Sequence, residues 1–178
     1  FGTEVEREVR RQLVLAAAQV AALRQPVDAA VETRTLRWLE SPGHHLIGWA
    51  DADYPPLLRQ IASPPLALFV DGEPGRLWHP QLAIVGSRAA TAGGRDNARA
   101  FARVIAEAGF AITSGLADGI DAAAHAGALE AADGLTLAVV GTGLDRAYPA
   151  GHASLRDAIA QRGVVVSADL DKVNSLLA

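Results

Sequence analysis

Four short apolar runs, at residues 82–86, 110–114, 135–140 and 163–167, alternate with helical patterns, and this rhythm restricts the possible folds more than any other feature of the chain. The intervening patterns run to roughly 14 residues, a length that lets a helix return the chain to lay down a parallel strand. The order is therefore βαβαβαβ. The third run, Leu135-Thr136-Leu137-Ala138-Val139-Val140, is apolar on both parities, as expected of strands covered on both faces. The expected fold is α/β, a parallel sheet with helices on both faces. Ligands of such sheets sit beyond the carboxyl ends of the strands.

Three of the strands end in small polar residues. Ala83-Ile84-Val85-Gly86-Ser87-Arg88 hands over a hydroxyl and a guanidinium where a helix is about to begin, and further edges follow at Ser114-Gly115 and Gly141-Thr142-Gly143. Backbone N–H groups left free at such edges, beside a planar guanidinium fork, suit a phosphate. The formal net charge of −4 argues against a generally basic coat, so a polyanion has to be held by a local patch. Of the 16 basic residues only Lys172 is lysine.

Residues 4–24 carry a charged cluster and then an alanine-rich segment, and read as a helix stopped before Pro26; a second helix is expected over 27–40. Pro55-Pro56 and Pro64-Pro65 mark a connector with one short helix around 57–61, and 66–70 reads as a strand. The expected division is a helical module and connector at 1–60, the sheet domain at 61–167, incomplete after its fourth strand, and a tail at 168–178. Because Phe1 is not an initiator and little follows the fourth strand, the chain is expected to be a fragment or ordered pieces joined near 167–169. The absence of cysteine removes disulfides and thiolate metal sites. No signal-peptide pattern opens the chain, and residues 13–23 are too short to span a bilayer, so a cytoplasmic protein without membrane partners is expected.

On the helix expected at about 94–108, Ala98, Phe101, Ala102, Ile105 and Ala108 form the core stripe, whereas Arg95, Arg99 and Arg103 recur every fourth residue. The arginines are either an extended phosphate track from Arg88 or an ordinary solvated face. Asp118 is placed to cap the helix after the second edge. Asp121 and His125 lie one turn apart on that helix, as a general base and its orienting carboxylate or as a structural pair that pins the loop. The structural reading is preferred, because no serine or cysteine nucleophile is evident beside them, and no metal-ligand pattern is present. Tyr148 either stacks on a base or packs under its loop. Neither Gly86-Ser87-Arg88 nor Gly141-Thr142-Gly143 continues into G-x-G-x-x-G, and no G-x-x-x-x-G-K-[ST] occurs, which demotes dinucleotide and P-loop nucleotide cofactors. No cofactor is expected.

Taken in order, Ala83-Ile84-Val85-Gly86-Ser87-Arg88, the segment from Ser114 to Asp121 with Ala124-His125, and Gly141-Thr142-Gly143-Leu144-Asp145 with Tyr148-Pro149 resemble the DprA/Smf family. The resemblance extends from about Asp53-Tyr54-Pro55 to about Ser167. It implies a Rossmann-like domain behind a SAM-like helical N-terminal domain, with the function of a non-enzymatic single-stranded DNA-binding protein. It also implies homodimers, protection of incoming strands in natural transformation (competence), loading of the RecA recombinase, and single-strand-binding protein as a further partner. The family's Gly-Ser-Arg turn contributes to the DNA pocket and maps onto Gly86, Ser87 and Arg88. The site expected here comprises those three with Ser114, Gly115, Gly141, Thr142, Gly143 and Tyr148. A Phe-Pro-x-Arg-Asn segment that normally follows the fourth strand is absent, and the tail at 168–178 is read as a piece of a winged-helix-like C-terminal domain. The alternative is a nucleotide-processing enzyme of the lysine-decarboxylase-like phosphoribohydrolase type, whose Pro-Gly-Gly-x-Gly-Thr-x-x-Glu motif is missing; a purely structural interaction domain is the third reading.

Overall fold

The structure, a computed structural model, describes residues 29–145 and 148–168. The expected helix at 4–24 and all but the first residue of the expected tail lie outside these residues.

Six strands form one sheet: β1 (His44–Gly48), β2 (Ala67–Gly72), β3 (Gln81–Ala83), β4 (Ala111–Ser114), β5 (Thr136–Val139) and β6 (Val164–Ser167). They lie in the order β1-β2-β6-β5-β4-β3. The stretch from β3 to β6 is parallel and in sequence order, as the alternating pattern requires, while β1 and β2 add an antiparallel pair beside β6. The Rossmann-like α/β architecture is therefore present, in a mixed sheet. Helices α1 (Ala29–Leu39), α2 (Ala92–Glu107), α3 (Ile120–Glu130) and α4 (Ala153–Arg162) accompany it, and none of the described helices is long and apolar enough to cross a membrane.

Alternation along each strand divides the core into two sides. Ala138 and Val165 meet Ile159 of α4, and Ile112 meets Ala102 and Ala106 of α2 and Ala124 and Ala128 of α3. Leu137, Val164 and Val166 point the other way, onto Tyr54 and Leu77. Three successive crossovers step in the same direction along the sheet, so α2, α3 and α4 share a face. Among the described residues the opposite face is covered by the 3₁₀ turns Leu58–Gln60 and Pro74–Trp78 and their loops, with an apolar groove of about 670 Å³ between them and the strands.

Three local expectations change. Strand β1 falls in the stretch read as connector; its sequence, His44-His45-Leu46-Ile47-Gly48, has no clean alternation, and its extended form comes from pairing with β2. Strand β3 ends at Ala83, although Ile84 N–H still donates to the Thr113 carbonyl. On α2 the buried stripe is Ala98, Ala102 and Ala106, whereas Phe101 is 67% exposed and Ala108 is exposed. The helix packs so closely on α3 that a Cβ on Gly127 would lie 2.1 Å from the Arg99 carbonyl oxygen. Only small residues fit that seam, and a phenylalanine is turned outward.

Away from the seam, a buried polar network joins four elements. Asp71 on β2 accepts from Arg156 of α4 at 2.8 Å, and Arg156 also donates to the Leu144 carbonyl at 2.9 Å. His44 of β1 lies 3.6 Å from Asp71 and stacks on Trp38 of α1 at a centroid distance of 4.0 Å. Both side chains of the Asp71–Arg156 pair are at most 15% exposed. Removing one partner of a buried pair strands the other charge, so Asp71→Ala is expected to lower the unfolding free energy by about 3–5 kcal/mol. Glu107→Ala, which removes an exposed partner of Arg103, should cost about 0.5 kcal/mol or less, and urea unfolding of the two variants checks the contrast.

Candidate nucleic-acid interface

Parallel register brings the carboxyl ends of β3, β4 and β5 side by side, and the segments leaving them touch. The turn after β3 rests on the start of α3: Ile120 N–H donates to the Ser87 carbonyl at 3.2 Å, and Gly86 lies against the Ile120 side chain. Gly119 has φ +82°, and a Cβ there would come 2.2 Å from the Ser87 carbonyl oxygen, so this contact requires glycine. Within the turn, Ser87 Oγ accepts from Ala89 N–H at 3.1 Å. Gly86, Ser87 and Arg88 are all exposed, and the Arg88 guanidinium makes no hydrogen bond or ion pair among the described residues.

The loop after β4 carries Leu116 at φ +63°, its side chain buried against Ala138, Leu144 and Ile159. Ser114 is not the free donor expected. It is buried, and its hydroxyl donates to the Ile84 carbonyl at 2.6 Å, locking the end of β4 to the segment after β3. Gly115 is exposed. After β5, Gly141 is exposed, Thr142 is half-buried, and Gly143 is buried, so this edge offers less surface than its sequence suggests. Tyr148 is 51% exposed at the far side of the same loop.

Asp118 does not cap α3. The N-cap is Gly119 without a side-chain bond, and the Asp118 carboxylate instead lies 3.1 Å from His152 Nε2. Asp121 and His125 also turn away from each other. Asp121 accepts from Ala117 N–H at 3.4 Å and so pins the loop, whereas His125 points into the sheet, its Nδ1 2.7 Å from Thr136 Oγ1. Because the Thr136 hydroxyl donates to the Ile112 carbonyl at 2.8 Å, it accepts from His125, which fixes the proton on Nδ1. The general-base alternative, already the less favoured reading, does not fit, since this ring has no exposure. Among the described residues no group of three His, Asp or Glu is arranged to hold a metal.

The arginine line on α2 is largely engaged within the protein. Arg99 pairs with Glu130 of α3, and Arg103 with Glu107 at 2.8 Å. These carboxylate hydrogen bonds raise both guanidinium pKa values and hold the Glu130 carboxyl below its ordinary range. Arg95 donates to the Ala90 carbonyl at 2.6 Å, holding the segment between Arg88 and α2. A continuous phosphate track would have to displace those glutamates. His152 and Arg156 were not singled out by sequence reasoning. Their partners lie 34 and 85 positions away, and no short-range pattern reports such pairs.

The profile of the DNA recombination-mediator protein A family matches residues 45–175. Protein Smf of Escherichia coli strain K12 is 45% identical over 129 residues, covering 72% of this chain and 34% of that protein. The crystal structure of DNA processing protein A from Streptococcus pneumoniae superposes with a TM-score of 0.69 at 35% identity, over 80% of this chain and 48% of the other. DNA processing protein A from Helicobacter pylori, solved for its single-stranded DNA binding mode, superposes with a TM-score of 0.63 at 27% identity, over 74% and 58%. The chain thus spans about a third of the Escherichia coli relative and about half of the two solved chains.

Burial, reinforced by charge at His152, pushes the His125 imidazole down to about 4. Its folded pKa lies below the unfolded value near 6.5, so the unfolded chain binds the extra proton first. The contribution is complete above about pH 6.5 and is lost as pH falls toward about 4, by on the order of 3 kcal/mol. His125→Asn should therefore be less stable than the parent near pH 7, and that deficit should shrink by about pH 4.5. Paired urea titrations test this, and a deficit independent of pH would exclude a buried neutral imidazole.

Proposed function

Since the chain belongs to the DNA recombination-mediator protein A family, the DprA/Smf proteins, we propose that it binds single-stranded DNA at the strand ends of β3, β4 and β5. The observation that carries this reading is the exposed Arg88 guanidinium, unengaged among the described residues, at the point where the three strand ends converge. A planar fork beside open backbone amides matches the oxygens of a phosphodiester.

Arg88 grips a phosphate, the Ser87 and Gly86 backbone lines the contact, and Gly115, Gly141 and Thr142 border it. Tyr148, half-exposed, stacks on a base, a sequence-tolerant contact worth about 1–3 kcal/mol. Ser114 and Gly143 support this surface from below. Arg95 lies nearest Arg88 in sequence and extends the positive field, with Arg99 and Arg103 joining only if Glu130 and Glu107 are displaced. Binding is led by charge and shape, single strands are preferred to duplex, and the protein acts without catalysis. By extension from the family, it works in the cytoplasm as a homodimer, protects incoming strands during natural transformation, and hands them to RecA, with single-strand-binding protein as a competing or assisting partner.

Neutralising phosphates releases counterions, so affinity should fall by about 0.7 log units per contacted phosphate for each decade of salt. Arg88→Ala is expected to weaken binding of a fluorescein-labelled oligothymidine, to reduce the magnitude of the salt slope by roughly 0.7, and to leave the melting temperature nearly unchanged. Equal affinity of variant and parent across the salt series would remove the site assignment.

A further inference from the structure

We propose that Arg156 is a positioning residue for base stacking: anchored on Asp71, it holds the Leu144 carbonyl and thereby fixes the loop after β5 that presents Tyr148. This rests on the single-stranded DNA reading of the same edge.

The loop after β5 has little backbone support of its own. Val140 N–H donates to the Val166 carbonyl at 2.9 Å, and beyond it Gly141, Thr142 and Gly143 make no backbone-to-backbone hydrogen bond among the described residues. The chain is fixed again at Leu144, in two ways. Its side chain is buried and packs with Leu116 of the loop after β4, Ala138 of β5 and Ile159 of α4. Its carbonyl accepts from Arg156 Nη2 at 2.9 Å. Half-exposed Tyr148 follows one short step along the chain.

Arg156 reaches that carbonyl from a fixed base. It lies on α4 one turn before Ile159, and the same Nη2 that meets Leu144 donates to Asp71 Oδ2 at 2.8 Å. Asp71 stands on β2 opposite Val165, so the guanidinium spans β6 and ties the antiparallel margin of the sheet to the end of β5. A buried ion pair adds little stability that apolar residues of similar volume could not supply. What such residues could not supply is a donor for a loop carbonyl 12 positions earlier in the chain.

The far end of the loop is held separately, where His152 N–H donates to the Pro149 carbonyl at 2.9 Å and His152 Nδ1 lies 3.0 Å from the Leu116 carbonyl oxygen. Between these two anchors Tyr148 is carried on a short span. A ring placed before the strand arrives loses less freedom on binding, and that saving appears as affinity. Releasing the Leu144 carbonyl therefore weakens stacking. The Arg88 contact is spared, because its turn rests on Gly119 and Ile120 and not on Arg156.

The test compares the full chain with Tyr148→Ala, with Arg88→Ala, with the paired replacement Asp71→Leu and Arg156→Met, which leaves no charge stranded, and with that pair combined with Tyr148→Ala. Each is titrated with a fluorescein-labelled oligothymidine and with a strand of equal length carrying abasic sites, across a salt series, and its melting temperature is recorded. Tyr148→Ala is expected to weaken oligothymidine binding about fivefold or more, and the paired replacement to lose a comparable factor at an unchanged salt slope. The combination should lose no more than either alone, and none of these losses should appear on the abasic strand, which has no base to stack. A role confined to stability would instead lower the melting temperature and weaken both strands alike. In the parent, slow exchange of the Arg156 guanidinium protons in nitrogen-15 spectra gives a readout that needs no variant to fold. Rapid exchange there, additive losses, losses shared by the abasic strand, or equal binding by Tyr148→Ala and the parent overturns the positioning role. If Arg88→Ala binds like the parent, or the parent binds no oligonucleotide, the site reading fails and takes the positioning role with it; loss in Arg88→Ala with none in the paired replacement sinks the positioning role alone.

Discussion

Ala102 and Ala106 of α2 meet Ala124 and Ala128 of α3 over Ile112 of the sheet, and the arrangement of the strand-end edge depends on that contact. Small side chains let the two helices close until backbone nearly meets backbone at Gly127 and Arg99. Helices held that near begin close together as well, which brings the turn after β3 onto the start of α3. The Gly119–Ser87 approach and the Ile120 to Ser87 hydrogen bond are consequences of helix spacing as much as of loop sequence. Larger residues in the seam would separate the helices and pull the Arg88 turn away from the loop that supports it.

Electrostatics then selects one arginine from many. A chain of net charge −4 has no general attraction for a polyanion, and several guanidinium groups of the described residues already serve the fold. Arg156 is committed to Asp71, Arg162 to the carbonyls that end α3 and begin the following turn, Arg99 and Arg103 to glutamates. Arg59 lies over the rings of Trp49 and Tyr54. Arg88 differs in being exposed beyond the carboxyl end of a parallel strand. Its position at a strand end sets it apart, since its residue type is shared by nearly every other cation of the chain.

Much of the architecture was legible because it is written in local periodicity. The four apolar runs became the parallel strands β3 to β6, with boundaries off by a few residues, and the helical patterns between them became α2, α3 and α4. Strand β1 escaped because its two histidines and terminal glycine carry no strand signal, and a partner strand supplied what the sequence lacked. Phe101 was misplaced for a related reason: hydrophobic spacing marks a face of a helix, but the width of the buried stripe depends on how near the neighbouring helix comes. At the site, the outward Gly86-Ser87-Arg88 turn could be read from the strand-end motif, whereas the fates of Ser114, Asp118 and Asp121 could not. A hydroxyl or carboxylate near a strand end has several acceptors or donors within reach, and only the folded loops decide which it meets.

By itself, then, the amino-acid order determined the α/β class, the parallel run of strands, the glycine-rich strand ends and the presence of a guanidinium beside them, because each of these rests on interactions between residues close in the chain. Tertiary structure alone decided that Ser114 turns inward, that His125 is a buried neutral ring, that Asp118 and His152 meet across two loops, and that Arg99 and Arg103 are paired while Arg88, among the described residues, is not. Most of those outcomes depend on contacts between positions tens of residues apart. Such contacts are fixed by helix spacing and strand register, and short-range sequence pattern carries no record of either.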